Sequence, residues 1–106
     1  MNTVTKATRI TAKTRKIVKE RDGGCIFCRM NGESTGMNTQ IMHFIPRSAG
    51  GLGIPENLAE GCILHHNMLD QGGWETRTQM LDSFRCYLKE HYEDWNEDKL
   101  KYRKYQ

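Results

Sequence analysis

With 106 residues, 37% of them hydrophobic, and a mean hydropathy of -0.75, the chain is sized for one domain with a small core. Chains of this kind often depend on a staple such as a metal. MNTVTKATRI opens without an apolar signal region, and no apolar run reaches the length of a bilayer span. The expectation is therefore a cytoplasmic chain with no membrane partner, whose thiols stay reduced. The net charge of +3 is unevenly spread. Residues 1–21 hold seven basic side chains against Glu20, whereas residues 22–72 hold two against five acidic ones. A basic arm beside an acidic, ligand-rich middle suits a protein that holds a polyanion near a bound cation. The same charges also suit a solvated helix face.

Residues 1–8 are polar and Thr-rich and read as a loose arm. A helix is expected from about Arg9 to Arg21, with Ile10, Ile17 and Val18 on one stripe, ended by Asp22-Gly23-Gly24. Cys25-Ile26-Phe27-Cys28 follows as a tight turn that aims two thiolates at one ion. A redox pair is the rival reading, but no βαβ pattern surrounds it. Arg29 to Asn38, with Asn31-Gly32 and Gly36, is a turn region. Thr39 to Ile45 reads as a short strand, with Ile41, His43 and Ile45 on one face and Met42 and Phe44 on the other. Pro46 ends or edges it, and Gly50, Gly51 and Gly53 form a bend, with a second short strand or extended piece expected through Leu52 to Ile54. A helix is expected from about His65 to Leu69, stopping at Gln71-Gly72-Gly73. The last third is helical, with Met80, Leu81, Phe84, Leu88 and Tyr92 forming a core-facing stripe. Cys86 lies off that stripe, and Trp95 is placed to anchor the tail. Lys99, Lys101, Arg103 and Lys104, interleaved with Tyr102 and Tyr105, suit either DNA contact or a solvated end.

Two constellations carry chemistry. Cys25, Cys28, Cys62 and His65 form two pairs, each with a two-residue gap, separated by 33 residues. Four soft or borderline donors in two pairs suit structural, tetrahedral Zn²⁺ with no open position. The second constellation is His43, His66 and Asp70. His66 and Asp70 are four apart, so a helix puts both on one face, where they can hold a divalent ion that keeps open positions. His43 has the pKa range of a neutral base at pH 7. Asn57 can hydrogen-bond across the bend and hold its shape, and Arg47 is a candidate phosphate clamp.

The run from Cys25 to Gly72 resembles the HNH endonucleases, and HFIPRSAGGLGIPENL between the two knuckles resembles small phage-type members. The family's ordered triad of base, central asparagine and metal-binding histidine falls on His43, Asn57 and His66. The resemblance implies an α+β fold: a zinc-stapled ββα-metal core over about residues 25–72. An N-terminal basic arm and helix (1–21) and a C-terminal helical region (75–106) would flank it in one domain. It implies a DNA endonuclease in which His43 takes a proton from water. Mg²⁺ or another divalent ion on His66 and Asp70 would stabilise the charge at phosphorus and the leaving 3′-oxygen. Arg15, Lys16 and Lys19 would supply non-specific DNA affinity. By resemblance alone, a phage or prophage source and a partner in the terminase packaging machinery are expected. Many members carry Asp or His where this chain has Met42, and Cys where it has His65. The rival reading is a non-catalytic zinc module that binds DNA or protein.

Overall fold

The computed structural model describes residues 3–35 and 38–103; Gly36, Lys104 and Tyr105 lie outside the described residues. It is a small α+β domain with a two-stranded antiparallel sheet and five α-helices among those residues. In chain order these are α1 (Thr3–Thr8), α2 (Ala12–Asp22), α3 (Ile26–Met30), β1 (Thr39–His43), β2 (Leu58–Cys62), α4 (Ile63–Gln71) and α5 (Trp74–His91). No described helix is long and apolar enough to cross a membrane.

Of the loose arm expected over residues 1–8, Thr3–Thr8 is instead a helix, and Met1 and Asn2 lie outside the described residues. Thr8, at the end of α1, is buried, and its hydroxyl bonds back to the Val4 carbonyl at 2.9 Å. Thr11 then caps α2 by accepting from the Thr14 amide at 3.1 Å, so that helix starts at Ala12 rather than Arg9. It ends as expected: Gly23 takes the left-handed conformation at φ 61° and donates to the Lys19 carbonyl at 2.9 Å.

The sheet departs from expectation in its second strand. No strand forms over Leu52 to Ile54; Leu58-Ala59-Glu60-Gly61-Cys62 pairs with β1 in unbroken register, Thr39 opposite Cys62 and His43 opposite Leu58. This segment carries little strand propensity. It is held because Leu58 to Gly61 are all buried, with α2 and α3 packed against the strand. Ile41 joins Val18, Leu58 and Ile10 on one side, while Met42 and Phe44 enter the main core with Phe27, Leu69, Phe84 and Leu88. Ile45, past the strand end, packs with the main core rather than with Ile41. The α5 stripe is as expected: Met80, Phe84 and Leu88 are buried, and Phe84 meets Phe27 and Phe44 edge-on. Trp95 anchors the tail by donating to the Glu56 carbonyl at 2.7 Å and meeting Phe44 edge-on.

A buried polar knot ties the helices to the sheet. The wholly buried Asp22 accepts a two-point contact from Arg21 at 2.6 and 3.0 Å, the Tyr87 hydroxyl, and the Glu60 amide at 2.7 Å. Arg21 also donates to the Leu58 and Pro55 carbonyls. One of the seven basic residues counted in the N-terminal segment is therefore internal, and only the remainder is free to face a polyanion. Burial, the largest single influence, opposes the Arg21 charge, but Asp22 and the Tyr92 hydroxyl together outweigh it and raise the Arg21 pKa.

Candidate functional site

Both metal-knuckle pairs are built in the same way. Cys25 is the N-cap of α3 and accepts from the Cys28 amide at 3.5 Å; Cys62 is the N-cap of α4 and accepts from the His65 amide at 3.4 Å. A cysteine at N-cap and a second donor at N3 bring both ligands to the positive end of a helix, where thiolate is favoured. This is a short helix in place of the tight turn expected at Cys25–Cys28, and it starts α4 at Ile63 rather than His65.

The two pairs converge. Cys28 Sγ lies 3.8 Å from Cys62 Sγ, and His65 Nδ1 lies 3.4 Å from Cys25 and Cys28 Sγ and 3.2 Å from Cys62 Sγ. Zinc bonds of about 2.3 Å to sulfur and 2.0–2.1 Å to nitrogen imply tetrahedral edges of about 3.8 Å (S···S) and 3.6 Å (S···N). The Cys₃His group fits a structural zinc-type site. Burial, the largest influence, and the neighbouring thiols push the Cys28 thiol up to about 12. Burial also opposes Cys62 ionisation, but the His65 and Leu64 amides and the other thiols outweigh it and lower that pKa. Bringing in a cation removes this competition for protons. The site is tied to the sheet by Glu60, which accepts from the Gly24 amide at 3.0 Å and the Thr39 hydroxyl at 2.6 Å. Cys86, off the core stripe, is exposed and does not belong to this group.

The second constellation also comes together. His43, at the end of β1, and His66 and Asp70, on α4, line one cavity of about 110 Å³ with Met42, Leu69 and Leu81. Arg77 on α5 lines it too, a residue sequence reasoning missed because nothing in its local pattern distinguishes it from a solvated helix arginine. Both histidines have their tautomers set by an oxygen acceptor. His43 Nε2 donates to the Thr8 carbonyl at 3.2 Å, which leaves Nδ1 as its basic nitrogen in the neutral form. His66 Nδ1 donates to Gln40 Oε1, which leaves its Nε2 lone pair for a ligand. Burial is the largest influence on His43 and lowers its pKa below 6.5; the Thr8 carbonyl opposes this, and the fields of Arg47 and His66 add to it. His43 is therefore neutral at pH 7.

Asn57 is fully buried and acts on the connection. Its Oδ1 accepts from the Ile45 amide at 2.8 Å, and its Nδ2 donates to the Ile45 and Leu52 carbonyls at 3.1 and 2.8 Å. Its own carbonyl accepts from Phe44 at 2.8 Å. The bend is so tight that a Cβ on Gly51 would lie 1.7 Å from the Ile45 oxygen. Asn57 thus holds the backbone just past His43.

Other expected contacts are not gathered at this cavity. Arg47 is exposed at the start of a 3-10 turn (Arg47–Ala49) and does not line it. Arg15, Lys16 and Lys19 line a shallow groove along α2. Lys99, Lys101 and Arg103 are exposed, and the Lys101 backbone pairs with Gly51. Met42 is not a free ligand position: it is wholly buried, with its sulfur packed against Gly61, where a Cβ would lie 2.4 Å from it. Among the described residues, Cys25, Cys28, Cys62 and His65 are the group of three or more donors close enough to hold one ion; His66 and Asp70 belong to no such group. Comparison with protein-family models, with curated proteins and with solved structures returned no match for this chain.

Proposed function

We propose that the chain is a metal-dependent DNA endonuclease of the HNH type. One observation supports this reading above the others. A neutral histidine with a free Nδ1 shares a cavity with a second histidine, whose Nε2 is free, and with a carboxylate. A zinc module needs only the Cys₃His group, and would leave this second set without a use.

In this reading His66 and Asp70, which line the same cavity as His43, would hold a divalent ion. The ion, when bound, supplies positive charge beside the phosphoryl oxygens and the leaving 3′-oxygen. His43 Nδ1 accepts a proton from the attacking water, and the Thr8 carbonyl keeps the ring in the orientation that presents that nitrogen. Asn57 positions the backbone that follows His43. The Cys₃His site fixes the start of α4, and so the place of His66 one residue beyond His65.

Plasmid cleavage with a panel of divalent ions tests this directly. His43→Ala should retain zinc and fold while cutting about 10²–10⁴-fold more slowly. Asp70→Ala should lose metal affinity and be partly rescued by excess Mg²⁺ or Mn²⁺. No cleavage by the wild type with any ion, alongside intact DNA binding, would leave the non-catalytic zinc module as the better reading.

A further inference from the structure

Trp74 opens α5 and is 82% exposed, the most exposed large hydrophobic side chain among the described residues. Arg77 and Leu81, which line the His43 cavity, sit three and seven residues further along the same helix. That spacing puts the three on one stripe, with Trp74 about one turn before Arg77 and outside the cavity lining. Arg77 is held by its Nε, which donates to the Leu69 carbonyl at 2.9 Å. Asp70 lines the same cavity, yet no ion pair joins Arg77 to an acidic side chain among the described residues. Its terminal N–H groups are thus oriented but not neutralised, which suits an incoming phosphate.

We propose that Trp74 and Arg77 dock an unpaired stretch of DNA strand beside the cavity, Arg77 on a backbone phosphate and Trp74 stacked on a base. This rests on the nuclease reading of that cavity and adds a substrate class to it: strands with unpaired bases. Inside a duplex both faces of each base are already covered, so a lone aromatic platform gains only from an unstacked one. A protein partner fits the surroundings less well. Specific protein interfaces bury about 800 Å² on each side. Around Trp74, Glu75, Arg77 and Thr78 are exposed and polar. The exposed Ile63 and Leu64 lie toward the other end of α4, roughly 10 Å along its axis.

The test is binding of a labelled oligodeoxythymidylate and of a duplex of equal length to the full chain, in a His43→Ala background that keeps the DNA intact. Trp74→Ala should weaken single-strand binding about 5- to 100-fold while leaving duplex binding within about twofold, and Trp74→Phe should recover most of the loss. Arg77→Ala should weaken both and lower the log–log salt slope by about one. Equal effects of Trp74→Ala on the two DNAs, or none on either, would overturn the stacking role. An altered oligomeric state in Trp74→Ala with DNA binding unchanged would reassign Trp74 to a protein contact and likewise overturn it. Because binding is read without cleavage, these outcomes are separate from the nuclease reading. That reading fails if wild type cuts no DNA, whichever way Trp74 behaves.

Discussion

His43 is set by three neighbours from three parts of the chain: the Thr8 carbonyl, Arg47 and His66. Burial lowers its pKa below 6.5, so under the proposed mechanism the cleavage rate should be level at pH 7 and fall as pH drops through the lowered value. A rate profile still rising above pH 7 would count against His43 as the base. The same shift affects stability. The unfolded chain takes up the proton near pH 6.5 and the folded chain only below that, so stability decreases as pH falls from about 6.5 toward the folded value. Met42 is the opposite case. The resemblance to HNH endonucleases implies that Met42→Asp would add a ligand beside His43, but the side chain is wholly buried in the core. The strand pairing carries no bulge that would turn it outward. Met42→Asp is expected to lose about 3–5 kcal/mol in denaturant unfolding, since it puts a carboxylate where the wholly buried Met42 sulfur packs against Gly61.

At the scale of elements, the connection between β1 and β2 depends on Asn57. Asn57→Ala would strand the Ile45 amide and two carbonyls in the interior. A loss of about 3 kcal/mol is expected from unmet hydrogen bonds, read by chemical unfolding. Under the proposed nuclease reading, cleavage should fall with it even at temperatures where the protein stays folded, because the chain past His43 loses its anchor. The exposed face of α2 makes a separate prediction. Neutralising Arg15, Lys16 and Lys19 together should weaken DNA binding and flatten its dependence on salt. An unchanged slope would place the DNA on another face. Arg21 does not belong in that set, since its guanidinium is committed to Asp22, Tyr92 and two backbone carbonyls.

For the whole molecule, the Cys₃His group joins the end of α2 and the start of α3 to the junction of β2 and α4. These segments are distant in sequence and share a modest core, so bound zinc should carry much of the fold, about 10–16 kcal/mol in apparent binding free energy for such sites. Elemental analysis of protein purified without added metal should find about one zinc per chain. A strong chelator should collapse the circular dichroism of the helices, and readdition of zinc should restore it. Folded protein free of zinc would remove this staple from the account.

Ligand spacing and helix periodicity were legible in the sequence because they are local. Cys25, Cys28, Cys62 and His65 declare themselves as two pairs, and His66 with Asp70 share a helix face whatever surrounds them. The α5 core stripe follows from its three- and four-residue steps, and the end of α2 from Gly23. Tertiary structure decided the rest, through contacts between residues far apart in the chain. Ala59, Glu60 and Gly61 form a strand because burial on both faces outweighs their weak propensity. Thr3–Thr8 is helical and packed, and its last carbonyl selects the His43 tautomer, which no local pattern encodes. Gln40 on β1 orients His66 on α4, and Arg77 reaches the cavity only because α5 folds back along α4. Local spacing specifies which donors share an element; the packing of those elements determines which of the donors meet.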